Sequence, residues 1–383
     1  MSHELSRRVL ALGMSLVALP LIVPGVAAAV PAIAPVDLGT LPGDQFSQVV
    51  AINGAGVMVG SSTPLETQIK DHAVKWDARG RITALPTLGG EQSNAVDIND
   101  RGVAVGWAHK DANWNQAAVK WAPDNTVTAL PYLAGGDYAT ANAITDSGIV
   151  VGSARAANGT IHAVRWNPDG KVVELGGLPG GEYGNAQWIS ENGRIIGGTA
   201  ADAEGRHHVV RWNHAGVITD LSPGNPRSTG NDMNEAGVIV GSATDPIGNQ
   251  KPVRWERDGR MTWLDWPERD SGWANAVNEA GVVAGGGNLV FGTDSPVKWN
   301  RAGTRTTLST ERGLGNDVDR AGTIVGLENG IATKWDARGT RTVLGALPGS
   351  EYSSATRVGT NGTIIGTSDN ENRRWHAVYW PAK

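Results

Sequence analysis

The sequence predicts an all-β protein, an eight-bladed β-propeller of four-stranded antiparallel blades, and three observations carry that reading. A Trp recurs eight times at intervals of about 45 residues, as Trp76, Trp121, Trp166, Trp212, Trp255, Trp299, Trp335 and Trp380. A short turn closed by Gly recurs in step with it, at 53–56, 99–102, 145–148, 190–193, 234–237, 278–281, 319–322 and 359–362. The 383 residues include 52 Gly and 15 Trp but only 2 Phe, a composition of many turns around a few large packing anchors. A repeat of this length whose single sheet cannot bury both of its own faces must stack on its neighbours, and four short strands per period is the pattern of a propeller blade.

The chain begins with an address segment. Arg7 and Arg8 precede an uncharged apolar run from Val9 to Val23 and then Ala27-Ala28-Ala29, which predicts a signal peptide over 1–29, cleaved after Ala29. The apolar run is short of the ~20 residues that span a bilayer, so no membrane anchor is expected in the mature chain. Export by the general secretory route or by a twin-arginine route fits Ser6-Arg7-Arg8 equally, and the expected location is extracellular. Residues 30–383 then form one domain of eight repeats.

Within that domain, Val36 to Leu41 resembles the fourth strand of a repeat, as in Val343 to Leu347, while the eighth repeat stops three residues after Trp380 without one. The N-terminal segment is therefore expected to complete the last blade and remove an exposed edge. The clearest repeat is 142–179. Ala143-Ile144, Gly148 to Gly152, His162 to Trp166 and Lys171 to Leu175 are short apolar runs, parted by Asp146-Ser147-Gly148 and Asn167-Pro168-Asp169-Gly170 turns. The eight Trp, each preceded two residues earlier by Val or by Thr333, are expected in the core between blades.

The triplets His-Ala-Val at 72–74, 162–164 and 376–378, with LGGEQSNAVDINDRGVAVG (88–106) and LPGGEYGNAQWISENGRIIGG (178–198), resemble the HAF repeats of extracellular bacterial proteins. Val stands where that motif often has Phe, and four repeats lack its His. The resemblance covers the mature chain and implies an exported repeat protein; it brings no catalytic residues with it.

Composition narrows the functional classes. There is no Cys, hence no disulfide, thiol nucleophile or Cys-held metal. The formal charge is −5, and removing Glu4, Arg7 and Arg8 (net +1) leaves −6 with the cations scattered, so nucleic acid is not an expected partner. No cofactor or metal is expected, and the chain is expected to be a monomer. The His column at 72, 162, 208 and 376 lies in third strands, roughly 10 Å out from the innermost ones, so His of neighbouring blades stand too far apart to share a metal.

Antiparallel connectivity puts short uniform turns on one face and longer, variable connections (61–71, 107–116, 199–207, 286–294 and 367–375) on the other. Function on such scaffolds concentrates in variable loops. The expected ligand, an extracellular polar small molecule or glycan, would meet Trp107, Trp114, Trp266, Trp273 and Trp375 for stacking, with Glu182, Tyr183, Glu351 and Tyr352 for polar contacts. Trp188 and Trp263, inside strands, are expected to be structural. The acids that recur in the inter-blade connections could equally cap their own turns.

Asp97, Asp232 and Asp317 share an innermost-strand column with Arg357. They are candidates for acid and base in an exported hydrolase, lyase or cyclase, or else for structural pairing with backbone amides. The first reading is a secreted binding or interaction module; the enzyme and a plain scaffold or adhesin are the alternatives. No G-x-S-x-G, H-E-x-x-H, phosphate-loop or Ca²⁺-loop motif decides among them.

Overall fold

The computed structural model describes residues 33–64, 70–111, 115–289 and 293–382. The leader expected at 1–29 and Trp114 lie outside the described residues. Eight four-stranded antiparallel sheets follow one another along the chain in a ring. Blades one to eight span residues 46–84, 93–129, 139–174, 184–220, 228–263, 272–307, 313–343 and 353–380. In blade three the strands are Ala139–Ile144, Val150–Arg155, Ile161–Trp166 and Val172–Glu174, in sequence order from the axis outward.

The turns are as the sequence implies. Gly148 and Gly170 take φ of 87° and 85°, and each closes its turn with an amide bond back to Thr145 or Asn167 at 2.9 Å. The innermost strand, however, starts four residues earlier than its apolar pair Ala143-Ile144 suggests. The reason is a bulge: register shifts between Ala141 and Ala143, and at the same place in every other blade, so the two-residue alternation breaks inside the strand. The bulge also explains the Gly in each second strand. A Cβ on Gly152 would sit 2.0 Å from the Thr140 carbonyl oxygen, so only Gly fits there.

All eight column Trp are at most 1% exposed. Trp166 packs with Val105, Ala118 and Leu130 of blade two as well as with its own blade, and its indole N–H donates to the Pro131 carbonyl at 2.8 Å. Each such ring is a wedge between two sheets. At ~25 cal/mol per Å² its burial is worth roughly 4–6 kcal/mol as an upper bound.

The ring closes as expected, with a shorter strand than 36–41. Val36–Asp37 pairs antiparallel with Tyr379 and Val378 of Trp375–Trp380, and the Leu38 amide continues the ladder to the Ala377 carbonyl at 3.0 Å. Leu38 is buried, and its carbonyl receives the Trp76 indole N–H at 2.8 Å, so the segment ties blade eight to blade one.

Candidate functional site

The bulge lies in the innermost strand of every blade, and in blades two, five and seven the residue just after it is Asp97, Asp232 or Asp317. Asp97 Oδ1 accepts the Ile98 amide and Oδ2 the Ile144 amide of the next blade, both at 2.9 Å. Asp317 does the same with Val318 and with Val358 of the next blade, both at 2.8 Å. Asp232 Oδ2 takes the Val277 amide of the next blade at 2.9 Å. Each carboxylate therefore staples neighbouring blades.

These three acids are half-buried. Burial raises the pKa of all three, against the pull of the backbone amides and of Arg357. For Asp232, burial and the nearby Asp317 charge push it up to about 6. Arg357, exposed on the innermost strand of blade eight, acts electrostatically on acids of blades two, five and seven at once. Only a guanidinium near the axis can do so. In the same column Trp188 instead enters the blade four to five interface, where it meets Gly197 and Gly230.

Two further sets of residues about the axis escaped the sequence reading. At the bulge, Asn142, Asn231, Asn275 and Asn316 each donate Nδ2 to a carbonyl of the next blade (Ala186, Ala274, Gly315 and Ala355) at 2.7–2.9 Å. On the short-turn face, Asp100, Asp146, Glu191, Glu235 and Glu279 each accept the backbone amide of the preceding blade's turn at 2.6–2.8 Å. Burial raises the Glu191 pKa, and the charges of Asp146, Glu235 and Asp100 add to that rise. The signals were present as Asn before the Asp or Ala column and as an acid second in five successive turns.

On the variable face the candidates are dispersed. Trp107, tilted over His109 with centroids 5.3 Å apart, belongs to blade two, Trp273 to blade six and Trp375 to blade eight, and all three are half-buried. Trp266 packs on Gly272 and against Trp299, with Arg305 5.2 Å from its ring. Tyr183 stacks on His207 at 4.9 Å, whereas Tyr352 is 47% exposed; Glu182 and Glu351 are exposed beside them. Other acids of the connections are paired locally, Asp44 with His72 at 3.1 Å, Glu91 with Lys70 at 2.8 Å and Asp137 with Arg155 at 3.0 Å. Trp263 departs from expectation: at the end of an outermost strand it is 42% exposed.

The His column is tied down by carboxylates. His162 Nδ1 meets Glu174 at 2.7 Å, His208 Nδ1 meets Asp220 at 2.8 Å, and His376 Nδ1 meets Asp37 at 3.0 Å. The other nitrogen of each faces the loop before its strand, at Thr160, Asp202 and Asn370 respectively. Thr160, His162 and Glu174 thus copy the order of a hydroxyl–imidazole–carboxylate relay. Blades four and eight repeat the arrangement without a hydroxyl, which marks it as a device for holding the loop. Among the described residues, no group of three or more His, Asp or Glu could hold a metal ion.

No protein-family model matches the chain, and no curated protein matches its sequence. Solved structures do match. The fold is similar to dipeptidyl peptidase 4 of Porphyromonas gingivalis (TM-score 0.53, 11% identity, 87% of this chain and 56% of that one) and to a puromycin hydrolase (TM-score 0.50, 14% identity, 91% and 62%). The β-propeller domain of the Trilobed protease from Pyrococcus furiosus also matches (TM-score 0.49, 9% identity, 88% and 97%). The chain spans about three fifths of the puromycin hydrolase chain. At these identities the likeness is one of fold, and the fold is that of a β-propeller.

Proposed function

We propose that this chain is an exported binding propeller for an extracellular polar ligand, a glycan in the first instance, and that its variable side carries the contact. The observation behind this reading is the commitment of its acids and bases. Asp97 and Asp317 each hold two backbone amides, Asp232 holds the amide of the next blade, His162 and His376 are engaged at both ring nitrogens, and His208 is engaged at Nδ1. A general acid or base needs a free proton site within reach of substrate. A carboxylate whose oxygens anchor two blades moves only by loosening both.

The large connections, by contrast, vary in length and side chain from blade to blade, so they can build an asymmetric contact on a symmetric frame. The test is a screen of the mature chain, residues 30–383, against a glycan array and, in parallel, against peptidase, esterase and glycosidase substrates. Saturable glycan binding without turnover is the expected result. Turnover abolished by Asp232→Asn in a protein of unchanged stability would establish the hydrolase instead.

A further inference from the structure

Blade five departs from other blades at two exposed positions. Blades three, four, five and eight join their second and third strands by the same five-residue turn, in which the first amide donates to the fifth carbonyl at 2.9–3.0 Å. The third residue of that turn is Asn158, Glu204 and Asn372 in blades three, four and eight, each of them polar and exposed. In blade five it is Ile247, 71% exposed and the most exposed large apolar side chain among the described residues.

The outermost strand repeats the contrast. Its third residue lies opposite the Val that precedes the column Trp, and it is Ala84, Ala129, Glu174 and Asp220 in blades one to four and Thr307 in blade six. Blade five places Trp263 there, opposite Val253 and 42% exposed. An edge strand facing water is ordinarily blunted by charge, and those five blades show that the position asks for no aromatic ring. Both departures flank one groove of about 550 Å³, walled by Leu221, Pro223 and Pro226 on one side and by Pro246, Met261 and Trp263 on the other. Single exposed apolar residues need no explanation, but an apolar knob beside an apolar groove is a patch of the kind that marks an association site.

We propose that this surface of blade five pairs two copies of the chain about a two-fold axis, with Ile247 of each copy entering the other's groove beside Trp263. The pair goes beyond the binding reading above, takes the place of the monomer that the sequence suggests, and stands without any glycan. Ile247 follows Pro246 of the groove wall yet remains in solvent, so the knob does not fill the groove of its own chain. A second copy turned by 180° satisfies knob and groove together, because in a two-fold contact residue i meets residue j and j meets i. The exposed charges at the rim suit the same operation. Arg227 follows the Pro226 wall and Asp258 precedes Gly259, which also lines the groove, so each copy offers its partner one cation and one acid. A foreign apolar segment would fill the groove and leave Ile247 in water.

The test is sedimentation equilibrium of residues 30–383 at about 1 to 300 μM, a span that covers weak self-association. A mass that rises toward twice the monomer and no further is expected. A monomer throughout would overturn the pair, and growth beyond two copies would overturn its two-fold symmetry. Ile247→Lys and Trp263→Glu should each weaken dimerisation at least about tenfold. Their melting temperatures at the lowest concentration should match the parent, since Ile247 is in solvent and blade three already carries Glu174 at the position of Trp263. Ile247→Asn, which copies blades three and eight, should weaken the pair without an added charge. An equal mixture of Ile247→Lys and Trp263→Glu should recover the dimer, because one native insertion survives and the two introduced charges face each other in the second. Dimerisation unaltered by either change would overturn this surface, and a mixture that stays monomeric would overturn the reciprocal insertion.

Discussion

His376 and Asp37, 339 positions apart in the chain, meet across the seam of the ring with Nδ1 3.0 Å from both carboxylate oxygens. Burial pushes the Asp37 carboxyl up, but the His376 bond and the Gly39 amide outweigh it and hold the pKa below the usual range. The seam therefore combines a two-residue ladder, one histidine–carboxylate hydrogen bond and the buried Leu38. Removing residues 30–41 should expose the edge of Trp375–Trp380 and strip Trp76 of its acceptor. The truncated protein should aggregate and melt well below residues 30–383; a deletion variant as soluble and as heat-stable as the intact domain would show that the seam contributes nothing.

The interface wedges set the stability scale. Trp166→Ala leaves a cavity between blades two and three and frees the Pro131 carbonyl, and should cost roughly 3–5 kcal/mol. Chemical denaturation measures it. A loss under about 1 kcal/mol would place the ring outside the load between blades.

The axial staples separate structure from catalysis. Asp97→Ala strands the Ile98 and Ile144 amides and should cost about 1–3 kcal/mol. Asp97→Asn, which keeps one side-chain acceptor, should cost less. Equal stability of all three proteins would remove the staple from the account of the ring.

Asp232 gives the fold a pH signature. With its folded pKa near 6 against 3.8 unfolded, the native chain holds a proton that the unfolded chain has released between those values, so stability falls as pH rises through that window. Full relief at low pH is worth at most about 3 kcal/mol, less because the half-buried residue is partly screened by solvent. Melting curves of Asp232→Asn should therefore improve on the parent progressively from pH 4 to pH 7. A difference that is flat over that range would refute the raised carboxyl.

His208 Nδ1 is hydrogen-bonded to Asp220 at 2.8 Å, and its Nε2 lies 3.2 Å from Asp202. His208→Ala leaves two carboxylates facing each other at the blade-four edge and should lower stability by about 1–3 kcal/mol. Elemental analysis of the purified domain should find no stoichiometric zinc, with or without that change or His162→Ala. Zinc that disappears in these variants would overturn the structural role.

The ring was legible because its anchors repeat in sequence. Eight Trp and eight Gly-closed turns state the period, and a missing fourth strand beside Trp380 states the closure. The site was less legible for two physical reasons. A bulge breaks the alternation on which strand reading depends, so the Asn142 class of side chains could not be assigned a direction. The Asp97 and Glu191 classes bond amides one whole repeat away, and that partnership exists only once the sheets are stacked. Trp263 misled because a strand position implies burial, whereas at the outermost strand nothing follows to cover it.

The innermost-strand bonds run one way round. Each of these bulge Asp and Asn side chains reaches the repeat that follows, at separations of 40–47 residues for Asn275, Asp317, Asp232 and Asp97, whereas the turn acids reach back to the repeat before. Any contiguous stretch one period long therefore carries one half-bond at each end, wherever it is cut. Unequal recombination between two repeats would produce a chain whose new junction is already bonded, while a slip of a few residues would part an acid from its amide. In its ancestry, then, such a chain can change by whole blades far more readily than by fractions of one.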